Sequence, residues 1–315
     1  MIVTLTPNPS VDRTIAIDDL RHGEVHRATS SRIDPGGKGI NVSRALTAQA
    51  VATMAVLPVG GPEGHLMEEL LDGAGVPRRS VPVSGTLRMN VTVVEPDGTT
   101  TKLNEPGPTL SAAEVDALLG ATADAARGAD WVVGCGSLPP GAPTDLYAVL
   151  VARARDLGVR VAIDSSGAPM VAAVAARPHL IKPNRDELAE LVGSPLPTLG
   201  AVRDAARDLV ADGIETVAVS LGADGALIVT ESVVAHVRTT ITQRLSTVGA
   251  GDCMLAGLLA ALAGGAAPQD ALVTGSLWGS AAVTLPGSRV PSPADLAGIP
   301  SELTLDPDLT LALTD

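Results

Sequence analysis

The chain has 315 residues, 45% of them hydrophobic, and a formal net charge of −13 at pH 7. An acidic surface with Trp131, Tyr147 and Trp278 as its only aromatics offers neither cations for a phosphate backbone nor a platform for stacked bases, so no nucleic-acid partner is expected. No apolar run approaches the roughly 20 residues that span a bilayer, and no charged-then-apolar leader follows Met1, so no membrane partner and a cytoplasmic location are expected.

From the N-terminus, a β-branched strand (MIVTL, 1–5) comes first. Asp12 to Ile33 then reads as strands without an intervening helix. DPGGKGINVSRAL (Asp34 to Leu46) passes from glycines into a helix carrying Lys38 and, one turn inside, Asn41; it lacks the Gly-Lys-Ser/Thr end of a Walker loop. A strand at 51–59 follows. Leu87 to Gly107 is a second helix-free stretch, a hairpin turning at Pro96, Asp97 and Gly98. Period two puts Arg88, Asn90 and Thr92 on one face and Leu87, Met89, Val91 and Val93 on the other. The polar face suits a ligand. The apolar strip, with little behind a thin sheet, predicts a homodimer joined through it.

Ser111 and Glu114 form a capping box opening a helix over 112–127. Strands at 131–137, 159–166, 179–184 and 216–222 are separated by helical stretches at 144–157 and 199–212. In IKPNRDEL (Ile181 to Leu188), Asn184 and Glu187 share one face of a nascent helix after a strand. SLGADGAL (Ser220 to Leu227) reads as strand, Gly-rich turn, strand. TTITQRLSTV (239–248) reads as a strand, then Gly249 to Asp252 turns into helices at 251–264 and 268–283. The alternation predicts an α/β fold, a mostly parallel central sheet flanked by helices, over 1–315 as one domain. The two helix-free segments, about 12–33 and 87–107, would form a small β-sheet lid. Ligands of such sheets lie beyond the carboxyl ends of the strands.

Arginine outnumbers lysine 19 to 3, yet Lys38, Lys102 and Lys182 all sit beside Gly, Asn or Pro. A compact charge on a flexible stem suits a phosphate approached end-on. Gly249, Ala250 and Gly251 lead into a helix, where converging amides and the helix dipole would hold an anion. Asp252 is then a negative charge placed where an anion binds. It is either an N-cap or a base that takes a proton from a hydroxyl attacking a bound phosphoryl group. Cys253, next to it at a helix start, is expected to have a lowered thiol pKa and to react with alkylating reagents. Cys135 and Cys253 form no C-x-x-C pair, so both are expected to be free thiols and neither a disulfide framework nor a zinc site.

TLTPNPSVD (4–12), GGKGINVSRAL, KLNEPGP, CGSLPPG, IKPNRDEL, SLGADGAL and VGAGDCMLAG together resemble, in order, the motifs of the phosphofructokinase B subgroup of ribokinase-like sugar kinases. TPNPSVD and GGKGIN resemble the branch that acts on ketose phosphates. The resemblance implies a ribokinase-like fold and an enzyme that uses ATP and Mg2+ to phosphorylate a ketohexose phosphate to a bisphosphate. It ranks fructose 1-phosphate first, tagatose 6-phosphate second and fructose 6-phosphate third. It makes Asp252 the catalytic base and Gly249, Ala250 and Gly251 its anion hole. Asp12 and Asn41 would hold sugar hydroxyls over Gly37 and Lys38. Arg88, Asn90, Lys102 and Ser137 would cradle the phosphate already on the sugar. Lys182 and Asn184, with Glu187 at the metal, would serve the ATP phosphates, and Ser220, Gly222, Ala223, Asp224 and Gly225 the nucleotide loop. Cys135 and Cys253 stand where the family commonly has serine. Two further readings are a catalytically silent sugar-phosphate sensor and a dinucleotide-dependent oxidoreductase, the latter weakened by Met254 in place of a third glycine.

Overall fold

The computed structural model describes residues 1–314. In chain order the strands and helices are β1 Ile2–Leu5, β2 Ser10–Ala16, β3 Ser30–Gly36, α1 Lys38–Ala48, β4 Thr53–Val59, α2 Gly61–Gly73, β5 Arg78–Pro82, β6 Arg88–Val94, β7 Thr100–Asn104, α3 Ala112–Ala126 and β8 Trp131–Cys135. Then come α4 Leu146–Asp156, β9 Arg160–Asp164, α5 Gly167–Ala175, β10 Leu180–Ile181, α6 Arg185–Val192, α7 Leu199–Ala211, β11 Thr216–Ser220, β12 Ala226–Val229, β13 Val234–Thr239, α8 Ala250–Ala263, α9 Pro268–Val283 and β14 Ser301–Thr304.

Among the described residues, ten strands form one sheet in the order β14-β13-β12-β11-β10-β9-β8-β1-β4-β5, parallel from β11 to β5. Its central strands are apolar on both faces because helices cover both. Val3 and Leu5 of β1 point into the core under α3, α4 and α7, while Ile2 points into the core under α1, α8 and α9. The chain runs from β1 outward through β4 to β5, then restarts at β8 on the other side of β1 and proceeds through β9 to β11. The switch between β1 and β8 opens a crevice at their carboxyl ends.

The second sheet has the order β3-β2-β6-β7. Its register aligns Asp34, Asp12, Asn90 and Asn104 in one row, with Gly36, Ser10 and Arg88 before them and Arg32, Thr14, Thr92 and Lys102 after them, all on one face. The opposite face begins with Leu87 and Met89. These two are not part of an exposed strip: Leu87 is only 2% exposed and joins Val11, Ile40, Leu57, Met67 and Leu71 in a core between the two sheets, with Met89 packed against it. A buried leucine contributes about 1.5–3 kcal/mol, so this contact anchors the small sheet to the large one. The expected exposed strip is therefore reduced to the half-buried Val91 and Val93, with Leu103 beside them exposed.

The Ser111–Glu114 capping box forms as the sequence predicts. The stretch predicted as a strand at 239–248 does not continue one; β13 stops at Thr239, and 240–248 is an irregular approach to α8. Its Thr, Gln, Arg and Ser side chains break the apolar alternation that a covered strand needs.

Candidate active site

Most of the residues singled out by sequence, Lys102 excepted, gather near the carboxyl ends of the parallel strands. Gly249 takes φ 78°, a left-handed conformation open to glycine, and is the N-cap of α8. It carries no side chain to cap the helix; in the first turn the Ala250 amide donates to the Thr247 carbonyl at 3.3 Å, which leaves the amides of Gly251 and Asp252, without intrahelical partners, to meet a ligand. Asp252 is thus not the cap. It lies one turn inside, 7% exposed, and its Oδ2 accepts a 2.8 Å hydrogen bond from Asn41 Nδ2 of α1. Burial, helped by the negative charge of Asp164, pushes the Asp252 carboxyl up to about 6, against the pull of Asn41, Lys38 and Lys182.

Asp164, at the end of β9, was not singled out by sequence, and it organises the lysines. Lys38 Nζ donates to its Oδ1 at 2.8 Å, and Lys182 Nζ faces its Oδ2 at 3.1 Å. Burial raises the Asp164 pKa, but the two lysines outweigh it and hold the group below the ordinary carboxylate range. In return Asp164, more than Glu187, raises the Lys38 pKa. Lys38 also reaches Glu187 Oε1 at 3.4 Å. Asn184 and Glu187 form a capping box at the start of α6: Glu187 Oε2 accepts from the Asn184 amide at 2.9 Å, and Asn184 Oδ1 from the Glu187 amide at 2.7 Å. A β-bridge from Asn184 to Ser220 sets the turn after β11 beside them.

Asp12 lies on the polar face of the small sheet. Ser10 Oγ (2.6 Å) and Asn90 Nδ2 (3.1 Å) both donate to its Oδ1. Burial raises its pKa against those two bonds and the nearby Arg88. Gly36 permits this arrangement, because a Cβ there would occupy the Asp12 carboxylate. Arg88 donates to the Asn8 and Glu105 carbonyls at 2.9 and 3.2 Å, and Asn8 Nδ2 reaches Ser137 Oγ at 3.5 Å across the switch between β1 and β8. Ser137 is aimed there by Gly136, whose carbonyl accepts from Tyr147 and Ser165. Asn8 Oδ1, Arg88 Nε and Asn90 Oδ1 are buried with no hydrogen-bond partner among the described residues. Three unsatisfied polar atoms on side chains linked through Arg88, which donates to Asn8 and lies near Asp12, are what a polyhydroxylated ligand would satisfy.

The chain matches the family described as pfkB family carbohydrate kinase over residues 6–295. It belongs to that family. A 1-phosphofructokinase of Rhodobacter capsulatus is 37% identical over 308 residues, 96% of this chain and 97% of the relative. The structure of phosphofructokinase-2 from Escherichia coli in complex with fructose-6-phosphate superposes with a TM-score of 0.88 at 32% identity, covering 95% of this chain and 97% of that one. A Thermotoga maritima ribokinase, 20% identical, matches with a TM-score of 0.76 over 94% of this chain and 97% of its own, so the fold is ribokinase-like. As a pfkB kinase the protein is a phosphotransferase, and family membership implies ATP as phosphoryl donor. No helix among the described residues is long and apolar enough to cross a membrane.

For this pfkB kinase the structure brings Lys38, Asn41, Lys182, Glu187 and Asp252 into one connected group, and Asp12, Arg88, Asn90 and Ser137 into a neighbouring one. Lys102 stands apart: it is exposed on β7 opposite Thr92, two same-face rows beyond Arg88. Gly222–Asp224 forms a single 3-10 turn between β11 and β12, as the strand-turn-strand reading predicts. The buried Asp224 carboxylate is turned away to the C-terminal segment, where Oδ2 accepts from Thr314 N at 2.7 Å and Thr314 Oγ1 at 2.8 Å. The expectation for Cys253 is overturned. Its thiol is 1% exposed, and burial, with Asp252 beside it, pushes it up to about 12, because the helix-terminal amides cannot offset lost solvation. Cys135 is fully buried and likewise raised. Both cysteines are free. Asp164 and Asn8 are the missed residues; position after a parallel strand was their one signal.

Proposed function

We propose that this kinase transfers the γ-phosphoryl group of ATP to the free hydroxymethyl group of a ketohexose phosphate, fructose 1-phosphate first, giving the 1,6-bisphosphate. The observation that carries the reading is Asp252, held by Asn41 just inside an uncapped helix start. Asn41 occupies Oδ2 and leaves Oδ1 for the acceptor hydroxyl. A base poised near 6 is ionised at neutral pH and still accepts a proton as the hydroxyl oxygen attacks the γ-phosphorus. Gly249, Ala250 and Gly251 would form the anion hole, the Gly251 amide facing the negative oxygens with Lys182 beside it and the Ala250 amide joining once it leaves the Thr247 carbonyl. The turn from Ser220 through Gly225 would carry the rest of the nucleotide.

Asp12 and Asn41 would bind the ring hydroxyls over Gly37 and Lys38. Arg88, Asn90 and Ser137, with Asn8, would hold the phosphate already present, Lys102 contributing from the rim. Magnesium would shield the charge of the ATP phosphates. No cluster of three or more His, Cys, Asp or Glu side chains that could hold a metal occurs among the described residues. That fits magnesium, which binds through substrate phosphates, waters and one or two carboxylates, here Glu187 in reach of Asn184. The small sheet would act as a lid over a single domain. Its outer face, with Ile15, Val91, Val93 and the 61% exposed Leu103, favours a homodimer. A cytoplasmic location suits these substrates.

The Rhodobacter relative supports fructose 1-phosphate. The Escherichia coli neighbour, solved with fructose-6-phosphate, supports a second reading in which the sugar lies end for end and yields the same product. Catalytic efficiencies on fructose 1-phosphate, fructose 6-phosphate and tagatose 6-phosphate, with unphosphorylated fructose as control, test both. Preference for fructose 1-phosphate is expected. Preference for the unphosphorylated sugar would remove the role given to Arg88.

A further inference from the structure

Asn41 holds the proposed base, and its amide is itself held. Arg44 lies one turn along α1, and its Nη1 donates to Asn41 Oδ1 at 3.1 Å and to the Pro35 carbonyl of β3 at 3.3 Å. A guanidinium has five donors and no acceptor. Asn41 must therefore turn its oxygen toward Arg44, which leaves its nitrogen to donate to Asp252 Oδ2. We infer that Arg44 is a positioning residue that sets which end of the Asn41 amide faces the base. The inference rests on the reading of Asp252 given above.

The orientation has chemical consequences. With nitrogen inward, the amide stabilises the carboxylate; with oxygen inward, two acceptors face each other unless Asp252 carries a proton. The charged groups felt at Asp252 are Lys38 of α1 and Lys182 after β10, which favour the ionised form, and Asp164 at the end of β9, which opposes it. Arg44 is surrounded by Asp34, Asp12, Arg32 and Cys253. Its bond to Pro35 also ties the small sheet to the same side chain, so the strand carrying Asp34 and the partner of the base share one clamp. Methionine at this position would keep the stem and remove every donor.

The test is the pH dependence of kcat/KM, from pH 5 to 9, for the wild type, Arg44→Met, Arg44→Lys, Asn41→Ala and the double variant Arg44→Met/Asn41→Ala. Arg44→Met is expected to move the acid limb upward by about half to one pH unit, which lowers kcat/KM near pH 6.5 about two- to threefold and by up to about tenfold at pH 5. Both KM values should stay within about threefold, and Arg44→Lys, still a donor without an acceptor, should restore most of the limb. In the Asn41→Ala background Arg44→Met should move the limb no further, because the coupling runs through the amide. An unmoved limb in folded Arg44→Met overturns the inference. So does an equal shift in the Asn41→Ala background, which would assign the effect to the charge of Arg44 alone. If Arg44→Met does not fold, Arg44→Gln takes its place, since an amide that can accept as well as donate cannot dictate the orientation. Asp252→Asn separates the two levels: retained turnover there sinks the base reading, whereas an inactive Asp252→Asn beside an unmoved Arg44→Met limb sinks only the role of Arg44.

Discussion

Lys182 Nζ and Asp164 Oδ2 stand 3.1 Å apart, both nearly sealed from solvent, Lys182 just beyond β10 and Asp164 the last residue of its neighbour β9. The other oxygen of the same carboxylate holds Lys38. One buried anion thereby sets the positions of two cations that come from opposite halves of the chain.

Asp164→Asn should therefore be costly for stability as well as turnover. Removing one partner leaves buried charge unpaired, a loss of about 3–5 kcal/mol that denaturant unfolding at pH 7 would register. The sign with pH follows from the depressed pKa of Asp164. Its stabilisation is complete above the ordinary carboxylate value and is lost as pH falls through the lower folded value, so the gap between wild type and variant should close in strong acid. A gap that persists unchanged at pH 2–3 would remove the ionic explanation.

Asp252→Asn should separate activity from stability. The folded carboxyl titrates at about 6, above its value in an unfolded chain, so its stabilising protonation is present in acid and lost as pH rises through about 6. A neutral amide escapes that loss. The variant should match the wild type near pH 4 and be more stable at pH 8, by an amount on the order of 1–3 kcal/mol, while turnover falls about a hundredfold or more. Thermal unfolding at the two pH values, read beside an ADP assay, checks both halves.

Gly36→Ala should damage the sugar side of the reaction alone. The added methyl group would displace the Asp12 carboxylate from Ser10 and Asn90. Loss of two hydrogen bonds to a carboxylate predicts a fall in kcat/KM for the sugar phosphate of about tenfold or more, with KM for ATP little changed. A larger effect on ATP than on sugar would place Asp12 elsewhere in the reaction.

The cysteines should be silent in the native protein. With Cys253 pushed up to about 12 and Cys135 raised by full burial, neither offers thiolate at pH 8. Mass spectrometry after treatment with a small alkylating reagent should find the native chain unmodified and the denatured chain carrying two adducts. Rapid native labelling of Cys253 with loss of turnover would show that the start of α8 opens.

Cutting the tie between the C-terminal segment and the Gly222–Asp224 turn, the one proposed to carry the nucleotide, should loosen that turn. Asp224→Ala removes the acceptor for both Thr314 donors, and since Thr314 is exposed and can turn to water the loss is that of the hydrogen bonds alone, about 0.5–1.5 kcal/mol. The expected result is a lower melting temperature with a raised KM for ATP and an unchanged KM for sugar phosphate. Equal KM changes for both substrates would count against a nucleotide role for the turn.

Local pattern was enough for most of the fold and for several of the side chains that the structure brings together, Lys38, Lys182 and Asp252 among them. Buried parallel strands announce themselves as short β-branched runs, and the Ser111–Glu114 box marks a helix start within four residues, because both signals come from neighbours along the chain. The same holds for the glycines ahead of Asp252 and for the polar face carrying Arg88 and Asn90, since alternation along one strand decides it. What needed the tertiary structure was every relation between distant segments. Asp164 is one carboxylate at the end of a strand run, and only the order β8-β9-β10 brings Lys38 and Lys182 to it. Leu87 belongs to an apolar strip by period, yet α2 and α1 decide that it is core. Arg44 is an ordinary cation in an arginine-rich chain until packing removes water and leaves the Asn41 oxygen as its partner. Cys253 sits at a helix start, where local electrostatics favour a thiolate, but the burial that reverses this is supplied by the helices folded around it, and desolvation of a buried charge outweighs the field of one helix end.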